Sequence, residues 1–312
     1  MGLPPFGAFK PLCRTVGSYP ICNLFFKQAP SALSVTDSRN LTAFENVAPV
    51  GINIECGIPR ATDGHLGNIA NVILCGLSLP LVLFLASRCS RRVAAVGRVE
   101  LRALLLLYAI TLPLQLITTG SFLKQSSTPL VILTAIHVGT VVALFWVLLA
   151  NALVATQIVE DGTPSSLIPF YAVALALFVV TTYISLDTAF GFTSAFKPSN
   201  PPSNLTNVTL FVLTSVWPAF CVFAYFIIMT YVVLGMLQES RPLAYYIGAA
   251  LLFVFSQLVY FLLSKVICKG TGAKVDGSFL ATLLETASIG VLFAAWISIT
   301  EDSWDNNDYY PT

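Results

Sequence analysis

The sequence predicts an all-α multispan membrane protein: seven transmembrane helices, with the N-terminus lumenal and the C-terminus cytosolic. Three observations carry this expectation. Hydrophobic residues make up 56% of the 312, charged residues only 10%, and mean hydropathy is +0.81, against roughly 45 to 50% apolar and about 25% charged in a soluble domain. Seven apolar runs each reach the ~20 residues that a bilayer core demands of a helix. Finally, the short connection RCSRRVAAVGRVELR holds Arg88, Arg91, Arg92, Arg98 and Arg102, in a chain with only 16 Lys and Arg.

Residues 1–65 contain no apolar run and are read as a lumenal, cysteine-containing N-terminal segment without a cleavable signal peptide. The runs then fall near 66–87, 101–121, 130–155, 166–187, 208–236, 243–267 and 277–299, so that 66–299 form the seven-helix bundle. Breaker-rich text separates them: EDGTPSS after the third run, FKPSNPPSN after the fourth and QESRP after the fifth. Residues 300–312 are left as an acidic cytosolic tail. No internal repeat is evident, so the inverted-repeat plan of many transporters finds no support.

Orientation follows from the arginines, because Lys and Arg in short loops near span ends stay on the cytoplasmic side. The loop between the first two runs is therefore cytosolic, and the sides alternate from there. The acceptor sequons at Asn40, Asn204 and Asn207 all fall in segments this scheme makes lumenal. So do Cys13, Cys22, Cys56 and Cys268, an even set that suits two disulfides with three possible connectivities. Lys265, Lys269 and Lys274, near a loop assigned to the lumen, pull the other way.

Several function classes drop out. A net charge of +1, with no basic patch on a soluble domain, argues against a nucleic-acid partner. The two histidines, His65 and His137, are too few for a His-rich metal site. Nucleophile elbows, phosphate loops and dinucleotide fingerprints are missing. No non-membrane segment approaches the ~100 residues or more of a domain able to hold a nucleotide sugar. The expectation is a protein that is no enzyme and needs no cofactor. A seven-span receptor or small-ligand carrier stands as the alternative on topology alone. The seventh run has no lysine for a retinal Schiff base, and neither Asp-Arg-Tyr nor Asn-Pro-x-x-Tyr occurs where a receptor would carry it.

Ionisable groups inside spans are functional candidates. Glu285 in the seventh run and His137 in the third sit at similar depth, which allows contact between them. Ala281, Glu285, Ser288 and Leu292 share a helix face expected to look into the bundle. Asn68, Asn71, Gln115, Asn151 and Gln257 are expected to bond between helices. Gly139-x-x-x-Ala143 and Gly290-x-x-x-Ala294 suit close internal packing. Cys89 is read as an unmodified thiol, with palmitoylation as the alternative. Trp296 and Trp304 suit the cytosolic interface belt. The tail TEDSWDNNDYY reads as a solvated end or as a partner motif.

Eight short stretches carry a family likeness: PLC at 11–13 with Cys22 following, ECGIPR at 55–60, GNIANV at 67–72, AAVGRVE at 94–100, VEDGT at 159–163, VICKG at 266–270, KVDGSFLATL at 274–283 and AWISITEDSW at 295–304. In this order they resemble the fungal chitin synthase export chaperone family from about residue 6 to 305. The resemblance implies a multi-pass protein of the endoplasmic reticulum membrane. Such a protein binds a chitin synthase client, prevents its aggregation and lets it leave for the cell surface; whether it accompanies the client to the plasma membrane is left open. By resemblance, Cys13, Cys22, Cys56 and Cys268 occupy the family's lumenal cysteine positions, and Glu160, Asp161 and Gly162 form its third-to-fourth loop motif. Arg91, Arg92 and Arg98 serve as topological anchors, and in a sharper reading dock on the synthase or on coat and cargo-export machinery. The second and third runs match only as apolar text, and the tail is short.

Overall fold

The computed structural model describes residues 4–28, 67–92, 95–125, 127–196, 204–272 and 274–300. A short helix α1 (Lys10–Thr15) is followed by a 3₁₀ stretch, Pro20–Gln28. Among the described residues, seven helices long and apolar enough to cross a membrane come next: α2 (Ile69–Arg91), α3 (Arg98–Thr119), α4 (Thr128–Ala155), α5 (Pro164–Phe190), α6 (Val208–Met236), α7 (Arg241–Gly270) and α8 (Gly277–Ile299). The shortest, at 22 residues, extends ~33 Å at ~1.5 Å per residue, enough for a ~30 Å hydrocarbon core.

Local chemistry places the ends. Proline occupies the first turn of α4, α5 and α7, where its missing N–H costs nothing. Before α8, the Asp276 carboxylate accepts the Ser278 N–H at 3.0 Å, an N-cap. Helix α3 starts at Arg98, earlier than the apolar text, because Gly97 at φ +70° turns the chain into it. Both α6 and α7 contain π-helical turns, at Val212–Val216 and Val232–Met236 in α6 and at Val259–Leu263 in α7.

The helices close a ring in the order α2, α3, α4, α6, α7, α8, with α8 returning to α2 and α5 lying outside against α4. In α4, 67% of the apolar window is buried, against 17% in both α5 and α7. Where α4 meets α5, a Cβ on Gly139 would fall 2.3 Å from Thr182 Oγ1 and 2.9 Å from the Phe178 carbonyl. The Gly139-x-x-x-Ala143 spacing therefore serves internal packing. Gly290 has no neighbour within 4 Å of such an added atom, so its spacing makes no comparable contact.

Successive helices run in opposite directions, giving the bundle a cysteine end and an arginine end. At the cysteine end, the described part of the N-terminal segment is packed into the bundle and does not form a separate head. Phe9, Val16, Leu24 and Phe25 bury against Val131 of α4, Ile184 of α5 and Leu210 of α6. The Tyr19 ring meets Tyr260 and Phe261 of α7 at centroid distances of 6.1 and 5.7 Å. Phe9 donates its N–H to the Leu205 carbonyl at 3.0 Å, and Asn207 donates its own to Gly7 at 3.1 Å. Gly7, at φ +83°, lies so close to α6 that a Cβ would sit 2.8 Å from Val208 Cα.

Candidate functional site

At the arginine end, three connections that are distant in sequence are tied together. The Gly97 N–H donates to Asp161 Oδ2 at 3.0 Å, and Asn151 Nδ2 reaches the Gly97 carbonyl at 3.5 Å. Trp296 Nε1 donates to the Val96 carbonyl at 2.9 Å. Arg92 donates to the carbonyl and hydroxyl of Thr300 at 3.2 and 3.4 Å. The stretches AAVGRVE, VEDGT and AWISIT thus meet at one junction. Glu100, buried beside it, lies against the Asp161 carboxyl and the Gly162 backbone. Arg91, Glu160 and Asp161 are exposed and Arg98 is half-buried, so charge of both signs is presented there. Below the junction lies a cavity of about 300 Å³, lined among others by Leu101, Asn151, Tyr225, Tyr246, Trp296 and Thr300.

Cys89 takes part in the same junction. It is fully buried, and its thiol donates to the Arg98 carbonyl at 3.4 Å. The alternative of palmitoylation there is corrected: an acyl chain requires a sulfur that can be reached.

Inside the bundle, α8 carries a ladder of hydroxyls at i, i+4 and i+8. Ser278 accepts from Asn68 Nδ2 at 2.9 Å. Thr282 donates to Asn71 Oδ1 at 3.0 Å and accepts from Gln115 Nε2 at 2.8 Å. Thr286 lies 2.9 Å from the Tyr108 hydroxyl and donates to Ser78 at 3.2 Å. The expected face of Ala281, Ser288 and Leu292 is also buried, turned to α7, where Ser288 donates to the Ala249 carbonyl at 2.8 Å.

The possible Glu285 to His137 contact is corrected. Half-buried Glu285 accepts from Gln257 Nε2 of α7 at 2.9 Å, while buried His137 pairs with Thr118 of α3 at 3.3 Å. Equal depth says nothing about lateral position. Ser278, Thr282, Thr286, Tyr108 and Glu100 were not singled out as site residues. The hydroxyl spacing within KVDGSFLATLLET was the available signal for the first three.

At the cysteine end, Cys13 is bonded to Cys22. Cys268 is also disulfide-bonded, and Cys56 lies outside the described residues. The remaining thiols of Cys75 and Cys221 are buried inside the bundle. Among the sequons, Asn40 lies outside the described residues and Asn204 is half-buried. Asn207 is corrected as a glycan site. It is 6% exposed, its amide donates to Thr188 at 2.7 Å, and its oxygen caps α6 by accepting from Leu210 N–H at 2.9 Å. Asp276, buried beside Ser18 and hydrogen-bonded by the Ser278 hydroxyl, has its carboxyl pushed above the ordinary value by desolvation, partly offset by those hydrogen-bonding groups. Among the described residues, no group of three His, Cys, Asp or Glu is placed to hold a metal ion.

The family model described as chitin synthase export chaperone matches residues 5–308 of the chain. The chain is 25% identical over 299 residues to a protein of Coccidioides immitis named chitin synthase export chaperone, covering 95% of this chain and 83% of that one. Relatives with the same name in Phaeosphaeria nodorum and Aspergillus fumigatus are 26% and 25% identical, with the same coverage. No solved structure matches the chain.

Proposed function

The chain belongs to the chitin synthase export chaperone family, and from that membership we propose that it works in the endoplasmic reticulum membrane, holding a chitin synthase client until the client can leave. Its function is that of an export chaperone for a chitin synthase, and the receptor or carrier alternative is not supported. The family description points to a chaperone and not to an enzyme.

The reading places the arginine end in the cytosol and the cysteine end in the lumen. Client recognition then combines helix-to-helix packing in the membrane with contacts at the arginine end, where Arg91, Arg98 and Glu160 are available to a partner, either the synthase or coat machinery. The observation that carries this choice is the junction itself. Three stretches of the family pattern are held together by Gly97–Asp161, Val96–Trp296 and Arg92–Thr300, so this end presents a fixed surface. The decisive experiment is purification of the tagged protein in mild detergent, followed by mass spectrometry. A stoichiometric chitin synthase is expected, and its loss on Arg91→Glu with Arg98→Glu would assign the surface. A folded protein purified without any synthase overturns the reading.

A further inference from the structure

The cavity below the arginine-end junction, about 300 Å³ in volume, reaches the size at which clefts begin to hold small ligands. Among the described residues, no carboxylate, ammonium, guanidinium or imidazole lines it. Leu101, Met229, Val232 and Leu292 supply buried apolar wall from α3, α6 and α8. Val96, Gln157 and Leu237 border it too and are exposed, so it opens at the arginine end. The π turn Val232–Met236 runs along the wall from Val232 to Leu237, and such turns gather at functional sites.

Two polar features interrupt the apolar lining. Tyr225 of α6 and Tyr246 of α7, 8% and 3% exposed, stand with ring centroids 6.3 Å apart and pair through their hydroxyls. Such a pair uses one O–H between the two phenols; the other has no acceptor among the described residues. Asn151 turns its amide nitrogen to the Gly97 carbonyl, and its Oδ1 accepts from no described residue. The wall thus offers a buried donor and an acceptor, both uncharged. A hydroxyl group donates and accepts at once, whereas a charged head would leave water for a site without a counter-ion. The space is also narrow. Leu292 lies eight residues from Thr300, ~12 Å along a helix, and about 300 Å³ over that depth leaves a cross-section of ~25 Å², room for one hydrocarbon chain at ordinary contact distances.

We propose that this cavity binds a neutral, hydroxyl-bearing lipid of single-chain width, of the monoacylglycerol kind, drawn from the leaflet at the arginine end. Its oxygens meet the Tyr225–Tyr246 pair and Asn151, and its chain lies along Leu101, Met229 and Leu292. The inference concerns a ligand and not the client, so it stands whether or not this end binds a synthase.

The test places the full-length protein in phosphatidylcholine nanodiscs with three photoreactive diazirine probes that share one chain and end in a glyceryl ester, a carboxylate or a methyl group. The glyceryl probe is expected to label peptides bearing Met229, Tyr246 or Leu292 at least threefold more than either of the others. Ala155→Trp, which adds bulk to the cavity wall, is expected to lower that labelling at least threefold and to leave labelling of the exposed face of α5 unchanged. Tyr225→Phe with Tyr246→Phe keeps the shape and is expected to bring the glyceryl probe down to the methyl-ended one. Gel filtration identifies the variants that remain folded. Labelling confined to outward-facing residues, equal labelling by all three heads, or labelling indifferent to Ala155→Trp overturns the proposal. Indifference to the tyrosine changes overturns the assigned donor, and displacement by water-soluble monobutyrin as readily as by monoolein overturns the bilayer as the source.

Discussion

Asp161 Oδ2 accepts the backbone N–H of Gly97 at 3.0 Å across 64 residues of sequence. The bond joins the α2–α3 connection to the α4–α5 connection at the point where Gly97, at φ +70°, turns the chain into α3. A carboxylate on a backbone donor is among the stronger hydrogen bonds.

Asp161→Ala is therefore expected to destabilise the protein by about 1 to 2 kcal/mol, and Asp161→Asn, which keeps an acceptor oxygen, by less. Gly97→Ala is expected to cost about 1 kcal/mol on backbone grounds. Thermal melting in detergent, with the double variant included, checks both. Strict additivity would show that the bond and the turn act independently.

Thr282 holds two helices at once, through Asn71 and Gln115. Thr282→Val keeps the shape and removes the hydroxyl, taking the acceptor from Gln115 Nε2 and leaving Asn71 Oδ1 with the weak Cys75 thiol donor. A loss of about 1 to 2 kcal/mol is expected, visible as a lower melting temperature. An unchanged melt would mean that the ladder is replaceable by packing.

Asp276 is buried and its carboxyl is held above the ordinary range by desolvation. The native state thus binds that proton more tightly than the unfolded chain does. The stability gained from protonation is full below the ordinary carboxylate value and is lost as pH rises through the raised native value. Relative to Asp276→Asn, the wild type is expected to gain stability as pH falls from neutral toward 4. Asp276→Ala, which also deletes the α8 cap, should lie about 1 kcal/mol below Asp276→Asn at any pH, since neither variant titrates there. Melting curves across pH separate the two effects.

Glycan mapping tests the orientation. With the cysteine end lumenal, a sequon inserted in the 192–196 stretch is expected to be modified, and one inserted at 157–161 is not. Asn207→Gln should leave the glycan number unchanged, because that side chain is committed to Thr188 and Leu210. The reverse pattern for the inserted sequons would invert the bundle.

The spans were legible because apolar length is a one-dimensional signal; α8 lies where the seventh run does. Lateral order was not, which is why Glu285 and His137 share a depth but not a contact. The N-terminal plug was hidden for a different reason. Phe9, Val16, Tyr19 and Phe25 lie in a short stretch broken by Gly7, Pro11, Gly17 and Pro20, with no regular period, and only their partners on α4 to α7 make them a core. Asn207 reads as an acceptor sequon in one dimension and as a cap in three. At the arginine end the motif letters were visible, while the fact that Gly97, Asp161 and Trp296 serve one junction required the fold.

The plug also sets a timetable for biogenesis. Tyr260 donates its hydroxyl to the Ser18 carbonyl at 3.3 Å across 242 residues. At about 5 to 20 residues per second, the ribosome takes roughly ten to fifty seconds to supply the second partner after the first. During that interval the Phe9 to Phe26 aromatics can bury only against α4 to α6 as these appear, while Cys13 and Cys22, nine residues apart, can pair at once. The first residues of this chaperone are fully housed only when α7 arrives, so a chain truncated before it leaves its own beginning partly uncovered.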